Sequence, residues 1–148
     1  MEYSTLDKLG VRVSRLGFGC MRFPLTAEGK IDEPRAAAML DTAYKAGVTY
    51  YDTAYFYHQH TGEAFLGRAM KRYPRDTFYL ATKMPMSIVE SLDHAKEIFE
   101  GQLAALQTDY VDFYLLHGVN GERWKRAQEM GIVDFLLEMQ KAGRIRHF

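Results

Sequence analysis

A single cysteine, Cys20, stands in this chain. No disulfide can therefore form within it, and no all-cysteine zinc or iron–sulfur site can be built from it alone. Neither sign of charge is in excess, since nineteen Lys and Arg balance nineteen Asp and Glu. That balance gives no electrostatic basis for gripping nucleic acid or an anionic membrane. No stretch approaches the roughly 18 apolar residues of a membrane span, and the opening MEYSTLDKLG has no apolar signal-peptide core, so the chain reads as cytosolic. Linkers, low-complexity tracts and sequence repeats are also missing. With 148 residues and 47% hydrophobic content, one domain over 1–148 with an ample core is expected.

What is present is a regular succession of apolar, β-rich runs. GVTYYD, TFYLATK and YVDFYLLH each close on an ionisable residue, Asp52, Lys83 and His117, at intervals of 31 and 34 residues; an earlier run, SRLGFG, closes at Gly19, 33 residues before Asp52. One strand–helix unit takes about 30 residues. Parallel strands joined by such crossovers bring their C-terminal ends to one face, where α/β sheets place their sites. A carboxylate, an ammonium and an imidazole should meet there, and Tyr57, five residues past Asp52, adds a phenol from the loop. Together they point to proton transfer to a carbonyl oxygen.

Helix signals fill the intervals. Asp32 caps a helix with Glu33 and Pro34 in its first turn and a stop at Gly47. Thr61 or Gly62 opens a shorter one that closes before Pro74. Ser91, or Ser87 with Glu90, caps a third whose Ala95, Ile98, Phe99, Leu103 and Leu106 form one apolar stripe. A fourth runs from about Trp124 to Lys141, with a break near Gly131 and Gly143 as C-cap. RIRHF begins a fifth strand, and the residues before Leu16 form a small hairpin turning at Gly10.

Taken singly, each polar residue has an ordinary reading: Asp52 as a cap, Lys83 as a solvated strand end, His117 as a satisfied core histidine. Their joint placement at three consecutive strand ends is what favours function. The other tyrosines of the runs, Tyr50, Tyr51, Tyr55, Tyr79, Tyr110 and Tyr114, read as packing. Glu63 reads as a first-turn acid suited to the helix dipole, or as a support for the Tyr57 loop. His58 and His60 lack further ligands at usable spacing, so no metal site is expected. Cys20 reads as a passive small residue, and LGFGCMRF does not fit a dinucleotide fingerprint.

These segments resemble the N-terminal half of an aldo/keto reductase. GVTYYDTAYFYHQHTGEAFLG is similar to the family's signature around its aspartate and tyrosine, LATKMP to its lysine strand, and DYVDFYLLHG to its histidine strand. YFYHQH, FYLATKMP and FYLLHGVN are closest in wording to a branch in which a ferredoxin-like module often follows the barrel. The resemblance implies a (β/α)8 barrel fold, here about four units and the start of a fifth. It implies NADPH-dependent reduction of an aldehyde or ketone, or the reverse oxidation. The catalytic tetrad falls on Asp52, Tyr57, Lys83 and His117. Tyr57 would be the general acid, Lys83 would favour release of its proton, Asp52 would keep Lys83 charged, and His117 would hydrogen-bond the substrate oxygen. Gly19, Cys20 and Met21 would neighbour the nicotinamide.

Two departures stand out. The glycine that usually follows the tyrosine is His58, and the usual serine before the glutamate is Gly62. The family barrel takes roughly 250 residues, so the remaining half would carry most of the grip on NADP(H), including the phosphate site barrels build after strands 7 and 8. An open half barrel exposes strand edges and invites association. Either a second copy, as a homodimer, or a complementing C-terminal half barrel would close it, or the sequence is an incomplete portion of a longer reductase, which is the favoured expectation. A non-enzymatic half-barrel assembly subunit and a Schiff-base enzyme using Lys83 are the alternatives.

Overall fold

A computed structural model describes residues 1–148. Seven strands and five α-helices follow one another along it: β1 (Tyr3–Leu6), β2 (Val11–Ser14), β3 (Phe18–Gly19), α1 (Glu33–Lys45), β4 (Tyr50–Asp52), α2 (Gly62–Met70), β5 (Tyr79–Met84), α3 (Leu92–Leu106), β6 (Val111–Leu116), α4 (Gly121–Glu129), α5 (Ile132–Lys141) and β7 (Ile145–His147). β3 to β7 form one five-stranded sheet in chain order, every pair parallel. The expected half barrel is thus present with its fifth strand formed. β1 and β2 pair as the antiparallel N-terminal hairpin, with Gly10 left-handed at the turn (φ 64°). Hydrogen bonds between Ser14 and Thr49 and from Tyr3 to the Gly47 carbonyl moor it at the N-terminal end of β4.

Helix punctuation follows the local chemistry. The Asp32 carboxylate accepts from the Arg35 N–H, the Ser91 hydroxyl from His94 and the Asn120 amide oxygen from Arg123. Ser91, and not Ser87, caps α3. Gly131, at φ 72°, lets the chain turn between α4 and α5, so the break expected there separates two helices, and the first begins at Gly121 rather than Trp124. The α3 stripe Ala95, Ile98, Phe99, Leu103 and Leu106 is buried against the sheet. Each of its larger side chains contributes about 1.5–3 kcal/mol by leaving water.

Two-residue alternation sorts the sheet into faces. Tyr51, Leu80 and Tyr114 lie buried beneath the helices. Tyr50, Tyr79, Phe113 and His147, of opposite parity, stack on one another across the inner face at ring distances of 5.0–6.0 Å. Asp52, Lys83 and His117 share the parity of Tyr50, Tyr79 and Phe113. All three are therefore delivered to the inner side, at the C-terminal rim.

At the opposite end of the sheet, Asp112, the second residue of β6, is fully buried. It accepts from Arg75 (2.7 Å), the Leu80 N–H (2.9 Å) and Arg146 (2.9 Å). Arg75 and Arg146 also flank the Tyr110 ring, 4.2 and 4.3 Å from its centroid. The two guanidiniums tie the turn before β5 and the strand β7 to β6.

Candidate active site

Asp52 ends β4, Lys83 is the last residue but one of β5, and His117 follows β6 directly, its N–H held by the Met84 carbonyl at 2.8 Å. The Lys83 ammonium donates to Asp52 Oδ1 (2.6 Å) and the Thr53 carbonyl (2.7 Å), and makes a long contact to the Tyr57 phenol oxygen (3.4 Å). All three of its N–H donors are thus occupied. Because lysine donates to the phenol oxygen, the hydrogen of the Tyr57 hydroxyl is left for another acceptor. The Tyr57 and His117 rings lie 6.1 Å apart, nearly perpendicular. Burial first, and then the charge of Lys83, lower the His117 pKa below its ordinary value, with Asp52 opposing. The imidazole is therefore held towards its neutral form, which keeps one N–H donor and one acceptor nitrogen.

Asp52, Tyr57, Lys83 and His117 are thus brought to one place. Gly19 pairs in register with Asp52 and is exposed, and Met21 is also exposed, whereas Cys20 is buried with its thiol pKa pushed up by burial. Its side chain joins the core, and only its backbone faces the loop around Tyr57.

Beneath Lys83 lies a buried polar group that strand-end reasoning does not reach. Glu63 Oε1 accepts from Thr82 (2.5 Å) and Gln102 (2.7 Å), Gln102 also donates to the Lys83 carbonyl (3.1 Å), and Tyr114 donates to the Gln102 amide oxygen (2.5 Å). Glu63 thus stands in the first turn of α2 as expected, but buried among polar side chains. Burial raises its pKa, with Thr82, Gln102 and Lys83 opposing. β4 has ended two residues earlier in the register, at Asp52 opposite Ala81. The Gln102 amide thus gives the Lys83 carbonyl a partner where the β4 ladder no longer runs alongside. A sequence signal existed: Gln102 falls in phase with the apolar stripe of α3, where a polar side chain needs a buried partner.

The loop after Tyr57 is unusual. His58, Gln59 and His60 are all left-handed, at φ 51°, 54° and 68°, a conformation that costs roughly 1–2 kcal/mol for each residue bearing a Cβ. Thr61 turns its hydroxyl back to the His58 carbonyl (2.7 Å) instead of capping α2. Gly62 donates its N–H to the Tyr57 carbonyl (3.1 Å), and a Cβ at this position would lie 3.0 Å from that oxygen and 3.2 Å from Tyr57 Cβ. The departures at 58 and 62 are thus parts of one tight turn that seats α2 directly against Tyr57. His58 and His60 do not assemble with other residues into a cluster that could hold a metal.

The model of the aldo/keto reductase family matches residues 15–148. Aldo-keto reductase YhdN of Bacillus subtilis is 34% identical over 125 residues, which cover 79% of this chain and 38% of that protein. Norsolorinic acid reductase stcV of Emericella nidulans is 37% identical over 125 residues, covering 73% of this chain and 32% of that one. The holo form of an aldo-keto reductase from Bacillus halodurans superposes with a TM-score of 0.80 at 32% identity, over 99% of this chain and 49% of that structure. The chain therefore spans half or less of each of these relatives.

Proposed function

The chain belongs to the aldo/keto reductase family, and we propose that, within a closed barrel, it reduces an aldehyde or ketone with hydride from NADPH or catalyses the reverse oxidation. The observation that carries this reading is the Lys83 ammonium, which reaches Asp52, the Thr53 carbonyl and the Tyr57 phenol at once. A nicotinamide cofactor fits the rim. Gly19 is exposed beside Asp52, with open space where a Cβ would stand, and Met21 is exposed next to it. Gly19, Met21 and the backbone of Cys20 would form the edge against which the ring rests, and the cofactor would supply the hydride.

The chain's own residues account for the proton. As hydride reaches the carbonyl carbon, negative charge collects on its oxygen and needs a donor already in place. Tyr57 gives its hydroxyl proton to that oxygen. Lys83 then faces the phenolate with a positive charge, and Asp52 with the Thr53 carbonyl fixes the ammonium in position. His117, held towards neutrality by burial, donates one hydrogen bond to the same oxygen without adding a second cation beside Lys83. A Schiff-base role for Lys83 has less support, because its three donors are all engaged and no lone pair is presented for attack.

For closure of the barrel we favour a complementing set of three strands over a second copy. Five parallel strands are already present, so two copies would bring ten to a barrel that holds eight. The test of function is loss of NADPH absorbance with simple aldehydes, for the protein as it occurs and for Tyr57→Phe. The variant should fold normally and lose roughly 10²–10⁴-fold in rate; undiminished turnover overturns the reading.

A further inference from the structure

Three consecutive left-handed residues without a glycine call for a tertiary cause, and strain of this kind concentrates where a surrounding structure over-determines a functional site. His60 stays local, packing its ring on Tyr55 and Phe56 at 4.7 and 5.6 Å. His58 does not. Its Nε2 lies 3.3 Å from the Phe23 N–H and 3.1 Å from the Cys20 carbonyl, and its ring stacks on Phe23 at 5.4 Å. Phe23 is itself buried, edge-on to Phe65 of α2 at 5.0 Å. The residue next to Tyr57 is thereby fastened to the loop that follows β3, the one carrying Cys20 and Met21.

We propose that His58 is a positioning residue for Tyr57: its imidazole latches the left-handed turn onto the Cys20–Phe23 loop, so that the proton donor and the edge facing the nicotinamide move as one body. The proposal rests on the reductase reading and adds a part to it. The other side of Tyr57 is fixed by α2, whose Gly62 N–H holds the Tyr57 carbonyl so closely that a Cβ at 62 would press on that oxygen and on Tyr57 Cβ at 3.0 and 3.2 Å. Tyr57 is thus clamped from two directions, by a helix start and by a side chain anchored in another loop. One nitrogen cannot serve both partners at once. Without a proton Nε2 accepts from Phe23; with one it donates to Cys20. Either state keeps a hydrogen bond across the gap, so the latch survives tautomer exchange.

If His58 only filled a turn, glycine would replace it with advantage, since glycine takes a positive φ without steric cost. That makes His58→Gly the discriminating variant, because it should fold while losing the latch. Glutamine reaches about as far as Nε2 and offers both a donor and an acceptor, so His58→Gln is the rescue. Three quantities are measured in the protein carrying this sequence: hydrogen exchange of the Phe23 amide, the Tyr57 ring resonance, and kcat with KM for an aldehyde. In His58→Gly the Phe23 exchange should rise about tenfold, the equivalent of one lost hydrogen bond. The Tyr57 signal should shift, and kcat should fall by about tenfold or more with KM nearly unchanged, as expected for a misplaced proton donor. His58→Gln should restore all three. A glycine variant with unchanged Phe23 exchange overturns the latch, as does one with faster exchange but an unmoved Tyr57 signal. Should the unaltered protein reduce no carbonyl compound, the reductase reading fails by itself, and the exchange and ring measurements still decide the latch by the same criteria.

Discussion

The sheet carries a carboxylate–cation cluster at each end, and the two are built to opposite specifications. At the base, Asp112 is wholly buried and saturated by two guanidiniums and a backbone N–H. Arginine keeps its charge under all ordinary conditions and binds in a fixed fork, so nothing there is free to exchange a proton. At the rim, Asp52 keeps 30% of its side chain exposed, the cation is lysine, and the cluster includes a phenol whose hydrogen is uncommitted and an imidazole whose Nδ1 is buried without a partner. The same pairing of charges therefore serves as a staple at one end and as chemistry at the other. What separates them is exposure, the choice of cation and how fully the donors and acceptors are matched.

That contrast can be broken from either side. The largest effect is expected at the base: Asp112→Ala strips the buried Leu80 N–H of its acceptor and the partly exposed Arg75 and Arg146 of their carboxylate, and should cost about 3 kcal/mol of stability, read by denaturant unfolding, with the rim chemistry of the remaining folded protein unchanged. Lys83→Met reverses the pattern. Carbonyl reduction should fall roughly 10²–10³-fold, while stability moves by about 1 kcal/mol or less because Asp52 still reaches water. If Lys83→Met unfolds the protein instead, the rim cluster is a staple too and the contrast collapses.

Gly62→Ala should cost about 1–3 kcal/mol through overpacking against Tyr57, and should lower kcat more than a remote substitution of equal stability cost; paired melting and rate measurements check it. The smallest effect concerns pH. Because burial lowers the folded pKa of His117, the unfolded chain binds that proton more readily. Stability should therefore decline as pH falls below about 6.5 and level off beneath the folded value. Histidine resonances followed through this range should show His117 taking up its proton at a lower pH than an unburied histidine; an ordinary titration would contradict it.

Much of this was legible in the residues. Apolar runs ending at Asp52, Lys83 and His117 set the strand ends, and a single parity then put all three on one face, since side chains alternate in a strand. The turn at Gly131 and the caps at Asp32 and Ser91 were readable because each depends on a few neighbouring groups. The left-handed path of His58 to His60 was not, because local preference opposes it and only the distant Phe23 and Cys20 hold it. Nor was Asp112 singled out in YVDFYLLH, since its partners, Arg75 and Arg146, lie 37 and 34 residues away. Glu63 was readable as a first-turn helix acid, but its burial was not, because Gln102 reaches it from α3, 39 residues on.

The order of the elements, the register of hydrophobic faces and the identity of the groups carried to the rim are written in the residues, because they follow from backbone periodicity and from residue type. Which of the many carboxylates and cations became neighbours, how deeply each was buried, and which nitrogen of His58 met which loop were settled by the packing of the folded chain. Those outcomes depend on contacts between segments more than thirty residues apart, where the strength of a charge or a hydrogen bond is set by the surroundings it is packed into.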